Sequence, residues 1–168
     1  MPPGIGAVAS RSTAIGGSAV LEACQALRQA RAAGRGLPLT QEVRFETAGQ
    51  AWGYGAYLVQ LSIDAETGAL LIEAAFCVDD AGHVVDAQSV ADQIVGGFAQ
   101  GIGAAMMEVV HYDASGQLLT ASLMDYAVPR ATDMPPVTLA PMEIASPMNP
   151  LGSKGGARRV RLAHPPPS

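Results

Sequence analysis

Lysine is nearly missing from this chain: Lys154 stands alone against nine arginines. With abundant Ala, Gly and Pro, that bias is what GC-rich codons produce. Charge of either sign is scarce as well, at 15% of residues against 49% hydrophobic. This composition excludes a disordered chain and points to more buried surface than a lone 168-residue monomer needs. The two cysteines, Cys24 and Cys77, form no CxxC, so neither an iron–sulfur site nor a disulfide framework is built by this chain alone. A net charge of −5 argues against a nucleic-acid binder. No apolar run reaches the roughly 18 residues of a membrane span. The opening MPPGIGAVAS lacks the basic-then-apolar order of a signal peptide. One Trp, four Tyr and three Phe leave no obvious aromatic clamp for a substrate.

What is present centres on residues 92–110, DQIVGGFAQGIGAAMMEVV. The stretch has helix length and is mostly apolar, yet it holds Gly96, Gly97, Gly101 and Gly103. Each Gly inside a helix costs roughly 1 kcal/mol relative to Ala. Four of them imply that another chain segment or a ligand approaches the backbone closely. Gln93 and Gln100 project from one face two turns apart. A helix start at Asp92 with bare amides and two carboxamides suits a polar or anionic group. A tightly packed buried helix with capping glutamines fits the same residues.

The rest of the chain is organised around that helix. GAVASRSTAIGGSAVLEACQALRQARAA reads as a small-residue loop entering a helix capped by Ser18, with Val20, Leu21, Cys24 and Leu27 as its apolar stripe. Ser10, Arg11, Ser12 and Thr13 offer hydroxyls, a guanidinium and amides, either as a solvated turn or as an anion-binding loop. The Gly4–Gly6 pair follows no strand and is no dinucleotide fingerprint. After a 33–38 linker, residues 56–63 alternate with Tyr57, Val59, Leu61 and Ile63 on one face. Asp64 to Gly68 has turn chemistry and 69–78 is a second strand, which makes a hairpin. Asp79, Asp80 and Asp86 near His83 read as solvated loop acids rather than metal ligands. A turn at 111–116 precedes an extended piece toward Tyr126. Residues 137–144 form a strand that Pro141 confines to a sheet edge. SPMNPLGSKGG, with the sole lysine, is a loop without the GxxxxGK[ST] order of a P-loop.

Three segments, GAVASRSTAIGGSA, DQIVGGFAQGIG and NPLGSKG, together resemble the molybdenum-binding large subunit of the xanthine dehydrogenase and aldehyde oxidase type. YGAYLVQLSIDAETG, DAGHVVD and LMDYAVPRATDMPP look familiar from the same family, so the similarity runs from about Gly4 to Gly155. The resemblance implies an α+β fold, a mixed sheet with flanking helices, as a fragment of the molybdopterin-binding domain of a molybdenum hydroxylase. It implies a molybdopterin cofactor, with or without a nucleotide extension, whose dithiolene holds the metal without protein ligands. Gln93 would contact the pterin with Gln100 in the same pocket. Ser10, Arg11 and Ser12 would bind pterin or phosphate oxygens, while Lys154 and Gly155 close the site. Electrons would leave through iron–sulfur and FAD subunits or domains, since neither motif is in this chain. The implied location is the cytoplasm, with the periplasm open to a chain exported on a partner's signal.

Departures from the family pattern shape the functional expectation. Asp86-Ala87 stand where the family has Asn-Pro, and Asp92 where it has Gly. A carboxylate beside an anionic cofactor is unfavourable unless it points away or meets Arg11. The family's molybdenum domain is several times longer, so this chain is expected to match its C-terminal portion and to work with an N-terminal half. In the family motif Lys-Gly-x-Gly-Glu, the Glu is the catalytic base; here Lys154-Gly155-Gly156-Ala157-Arg158-Arg159 follows, with no acid after Glu143. Arginine stays protonated and cannot replace that base, so the expected Glu near Arg158 is absent and no catalytic residue is assigned.

Residues 1–156 carry seven basic and fifteen acidic side chains, and the last twelve carry three basic and none acidic. This break marks 1–156 as the cofactor-domain portion and 157–168 as an aberrant Arg/Pro-rich tail, disordered, frame-shifted or a divergent terminus. GCN-CGG-CGA-GTN for Ala-Arg-Arg-Val, read one base later, passes through GGC-GAG, which is the family's Gly-Glu. The expected function is a fragment of a molybdenum hydroxylase subunit, inactive alone. The alternatives are a non-catalytic cofactor-binding or assembly module, and a domain reusing the fold for another ligand.

Overall fold

The computed structural model describes residues 10–155. The Gly4–Gly6 pair, the 157–168 tail and the position near Arg158 lie outside the described residues. The chain divides into two compact units, the first holding residues 10–54, 79–90 and 141–155, the second 55–78 and 91–140.

Unit 2 carries the sheet. Strand β1 (Gly55–Ile63) and strand β2 (Leu70–Asp80) are joined by the turn expected from Asp64-Ala-Glu-Thr-Gly68. The Asp64 carboxylate accepts the Glu66 and Thr67 amides at 2.8 Å each, and Gly68 takes φ +72°. Strand β3 (Val137–Met142) lies on the other side of β2, giving the order β1-β2-β3. Pro141 therefore falls on an edge strand, where its missing N–H breaks no interior ladder bond. The last residues of β2 and β3 belong to unit 1.

Helix α2 (Ala87–Met106) is the glycine-rich stretch, and it begins five residues earlier than its composition indicates. The reason is Asp86, whose carboxylate accepts the Ser89 amide at 2.7 Å while its carbonyl accepts Val90 N–H. This is side-chain capping by an acid at the positive end of a helix. Ile94, Phe98 and Ile102 are buried at helical spacing. The helix ends where the Met107 and Glu108 amides both donate to the Gly103 carbonyl. Beyond it, Asp113 organises the expected turn by accepting Ser115 and Gln117 amides. The expected extended piece after it is short: Leu118 pairs antiparallel with Tyr112, and no strand continues to Tyr126. Ser122 turns the chain instead, its carbonyl accepting the Asp125 and Tyr126 amides.

In unit 1, helix α1 (Ser18–Ala32) is preceded without a break by a π turn, Thr13–Gly17. Helical structure thus starts ahead of Ser18. That residue is no cap: it is fully buried, and its Oγ donates back to the Ala14 carbonyl at 2.7 Å. The apolar stripe is only partly used, since Leu21 and Leu27 are half-buried while Val20 and Cys24 are exposed.

Candidate functional site

The most constrained residue of unit 1 is Asp80, read from sequence as a solvated loop acid. It is wholly buried, and Asp79 beside it is buried too. Asp80 Oδ1 accepts the amides of Gly82 at 2.8 Å and Ile144 at 3.2 Å. Its Oδ2 takes the Lys154 ammonium at 2.5 Å. The Lys154 side chain is itself only 7% exposed, and its Nζ lies 5.7 Å from the centroid of the Tyr54 ring. Burial alone would raise the Asp80 pKa. The Lys154 ammonium and the two amides outweigh it and hold the carboxyl below its ordinary value.

Backbone bonds bind the same segments together. Asp80 N–H donates to Tyr54 O, His83 N–H to Gly152 O, and Lys154 N–H to Ala81 O. Asn149 bridges its own loop by donating to Ser153 O and accepting Ser153 N–H. Gly82 is required here: at φ +69°, a Cβ on it would lie 2.3 Å from Gly152 O. The exposed His83 ring sits 3.5 Å from Glu143 at the rim. Among the described residues no group of three or more His, Cys, Asp or Glu is arranged to hold a metal ion.

Ser10, Arg11 and Ser12 lie just before the π turn of unit 1. Ser10 adopts φ +54°, a left-handed conformation uncommon outside glycine and asparagine. The turn that follows them meets the lysine loop, because a Cβ at Gly17 would lie 2.8 Å from Leu151 Cδ1. Unit 1 thus brings the opening loop's helix start and the Lys154–Gly155 loop into contact.

Gln93 and Gln100 belong to unit 2, both in the interior of α2. They cap neither end, so the capping alternative falls. Gln93 is half-buried and Gln100 exposed. The expected bare-amide helix start at Asp92 is likewise replaced, since the true start is capped by Asp86. The glycines separate into two kinds. Gly103 is explained by the chain itself, where an added Cβ would meet Glu108 Oε1 at 2.3 Å and Pro129 Cγ at 2.7 Å. Gly96 is exposed, and a Cβ there would meet nothing within 4 Å. A glycine that no packing among the described residues demands, between two carboxamides on one helix, leaves a bare edge on which a flat polar group could lie.

Two features of unit 2 escaped sequence reading. Tyr126 Oη donates to Glu108 Oε2 at 2.8 Å, and this bond, burial and the Glu108 charge raise the Tyr126 pKa. A cleft of about 630 Å³, bordered by Leu70, Ile72, Ile102, Met106 and Pro135 among others, includes none of the residues assigned to a cofactor.

Residues 30–135 match the family described as molybdopterin cofactor-binding domain. The gamma subunit of the 6-hydroxypseudooxynicotine dehydrogenase complex of Paenarthrobacter nicotinovorans is 42% identical over 103 residues, covering 61% of this chain and 13% of that subunit. Quinoline 2-oxidoreductase from Pseudomonas putida 86 superposes with a TM-score of 0.58 at 40% identity, covering 60% of this chain and 13% of the other. A Cu,Mo-CO dehydrogenase chain shares the fold over 92% of this chain and 25% of its own, with a TM-score of 0.79 at 22% identity. The chain thus spans about one-eighth of the length of the curated relative from Paenarthrobacter. It belongs to the molybdopterin cofactor-binding domain family, as part of a large subunit of the xanthine dehydrogenase and aldehyde oxidase type.

Proposed function

We propose that this chain is the cofactor-contacting portion of a molybdenum hydroxylase large subunit, whose complete enzyme hydroxylates an N-heterocycle or aldehyde with oxygen from water. The relatives named for quinoline and for a nicotine derivative favour the N-heterocycle. The observation that carries the reading is the bare α2 edge at Gly96, within the segment that matches the cofactor-binding family. When bound, the molybdenum cofactor supplies the two-electron redox centre. In unit 2, Gln93 and Gln100 each offer donors and an acceptor to a heterocycle edge. In unit 1, Ser10, Arg11 and Ser12 suit pterin or phosphate oxygens, of a mononucleotide or dinucleotide form, and the Lys154–Gly155 segment closes the loop.

Exposed apolar residues fit a chain that works inside a larger assembly. Leu123 and Met124 are 83% and 95% exposed, and Leu58, Ile63 and Leu71 on the hairpin are open as well. The partners in this reading are an N-terminal half of the cofactor domain and cytoplasmic iron–sulfur and FAD subunits. With Arg158 in place of the acid of the Lys-Gly-x-Gly-Glu motif, the chain by itself is inactive in this reading. That same replacement favours, as second reading, a non-catalytic cofactor-binding or assembly module.

Expression in a host that makes molybdopterin, with and without a complementing N-terminal half, tests both readings. Pterin fluorescence on denaturation and no dye reduction by the 168-residue chain are expected. Molybdenum-dependent dye reduction by that chain would overturn the inactivity. Absence of pterin from every reconstituted complex would overturn the cofactor role and leave a fold reused for another ligand.

A further inference from the structure

In a chain with nine arginines, the single lysine occupies a nearly closed site. Both ends of Lys154 are fastened to one short segment: its amide to Ala81 O at 2.8 Å, its ammonium to Asp80 Oδ2. Ser153 Oγ donates to His83 O, and His83 N–H to Gly152 O, so residues 152–154 run antiparallel against 81–83. The lysine stem passes a glycine, where a Cβ on Gly82 would lie 2.9 Å from Lys154 Cγ. A compact ammonium on an unbranched stem suits that space; a planar guanidinium fork does not. Directing this ammonium to an external anion would strip Asp80 of its counter-charge while leaving it buried, which costs on the order of a hundredfold in affinity or more.

We infer that Lys154 is a positioning residue and not an anion ligand: with Asp80 it forms an internal clamp that fixes the 149–155 loop against 80–83, and the loop meets the cofactor through its backbone at Gly155. This rests on the cofactor reading above and reassigns one of its residues. It also makes Asp80, 74 positions away, part of the machinery that shapes the loop.

The test uses the full chain as wild type, Asp80→Asn, Lys154→Met, the double variant and Lys154→Arg, each made with the complementing half and a molybdopterin supply. The readouts are the thermal midpoint, pterin released per chain, and acylation of the Lys154 amine, read by peptide mapping of this chain. The clamp predicts that native Lys154 acylates at least about tenfold more slowly than in Asp80→Asn. Both single variants lose most of their pterin. The double variant, which leaves no buried charge unpaired, recovers midpoint and pterin to within about twofold of wild type. Lys154→Arg does not.

A double variant with wild-type midpoint but no pterin would overturn the inference, as would Lys154→Arg retaining pterin, because an ammonium acting as ligand predicts both. Rapid acylation of the native wild type would also overturn it, even if no variant folds. Should the wild type carry no pterin, the cofactor reading fails, while acylation and the midpoint cycle still decide the clamp.

Discussion

Unit 1 and unit 2 are held together by different chemistry. In unit 1, segments far apart in sequence converge on one buried carboxylate through hydrogen bonds from Gly82, Ile144 and Lys154. In unit 2 a hairpin, an edge strand and the apolar row Ile94, Phe98 and Ile102 carry the structure. A polar network loses its members together when one is removed, because each remaining group is left unsatisfied. An apolar core loses stability in proportion to the volume removed. The first arrangement fixes a loop closely, and the second tolerates change.

Replacing Asp80 by Asn tests that contrast most severely. It leaves Lys154 buried without its charge partner and is expected to cost about 3–5 kcal/mol in denaturant unfolding. Hydrogen exchange should accelerate at 80–84 and 144–154 well before it does in β1; equal loss in β1 would erase the distinction. Acid probes the same residue. The folded pKa of Asp80 is lowered, so its contribution is complete above the unfolded value of about 3.9 and fades as pH falls through the lower folded value. Stability should therefore be flat near neutrality and drop below about pH 4. Asp64, Asp86 and Asp113, whose pKa values are lowered by backbone and hydroxyl hydrogen bonds, add to that limb. Its steepness should shrink in Asp80→Asn.

Gly82→Ala comes next, at on the order of 1–3 kcal/mol, since the side chain meets Gly152 O at a positive φ. Its signature is faster exchange of the His83 amide, and normal His83 protection would contradict the close approach. Ile102→Val should cost only about 0.5–1.5 kcal/mol. Its effect on exchange should stay within unit 2.

The legible parts of the molecule were those with local causes. The Asp64–Gly68 turn, both hairpin strands and the edge strand with Pro141 followed from alternation and turn chemistry. The α2 glycines announced a helix, but its true start was hidden because Asp86 was counted among the loop acids. Ser18 looked like a cap, and only the π turn ahead of it shows why it is interior. The pairing of Asp80 with Lys154 was invisible, since no periodicity links residues 74 positions apart. The scarcity of lysine was the one signal, and it marked the position without naming its partner.

Gly96→Ala tests the proposal that this edge of α2 faces the cofactor most directly, measured as unfolding stability and pterin content side by side. Nothing lies within 4 Å of the added Cβ, so the substitution should stabilise the chain by up to about 1 kcal/mol. The account predicts that gain together with a clear loss of bound pterin relative to wild type. A stabilised variant that keeps its full complement of pterin would show that the bare helical edge faces something other than the cofactor.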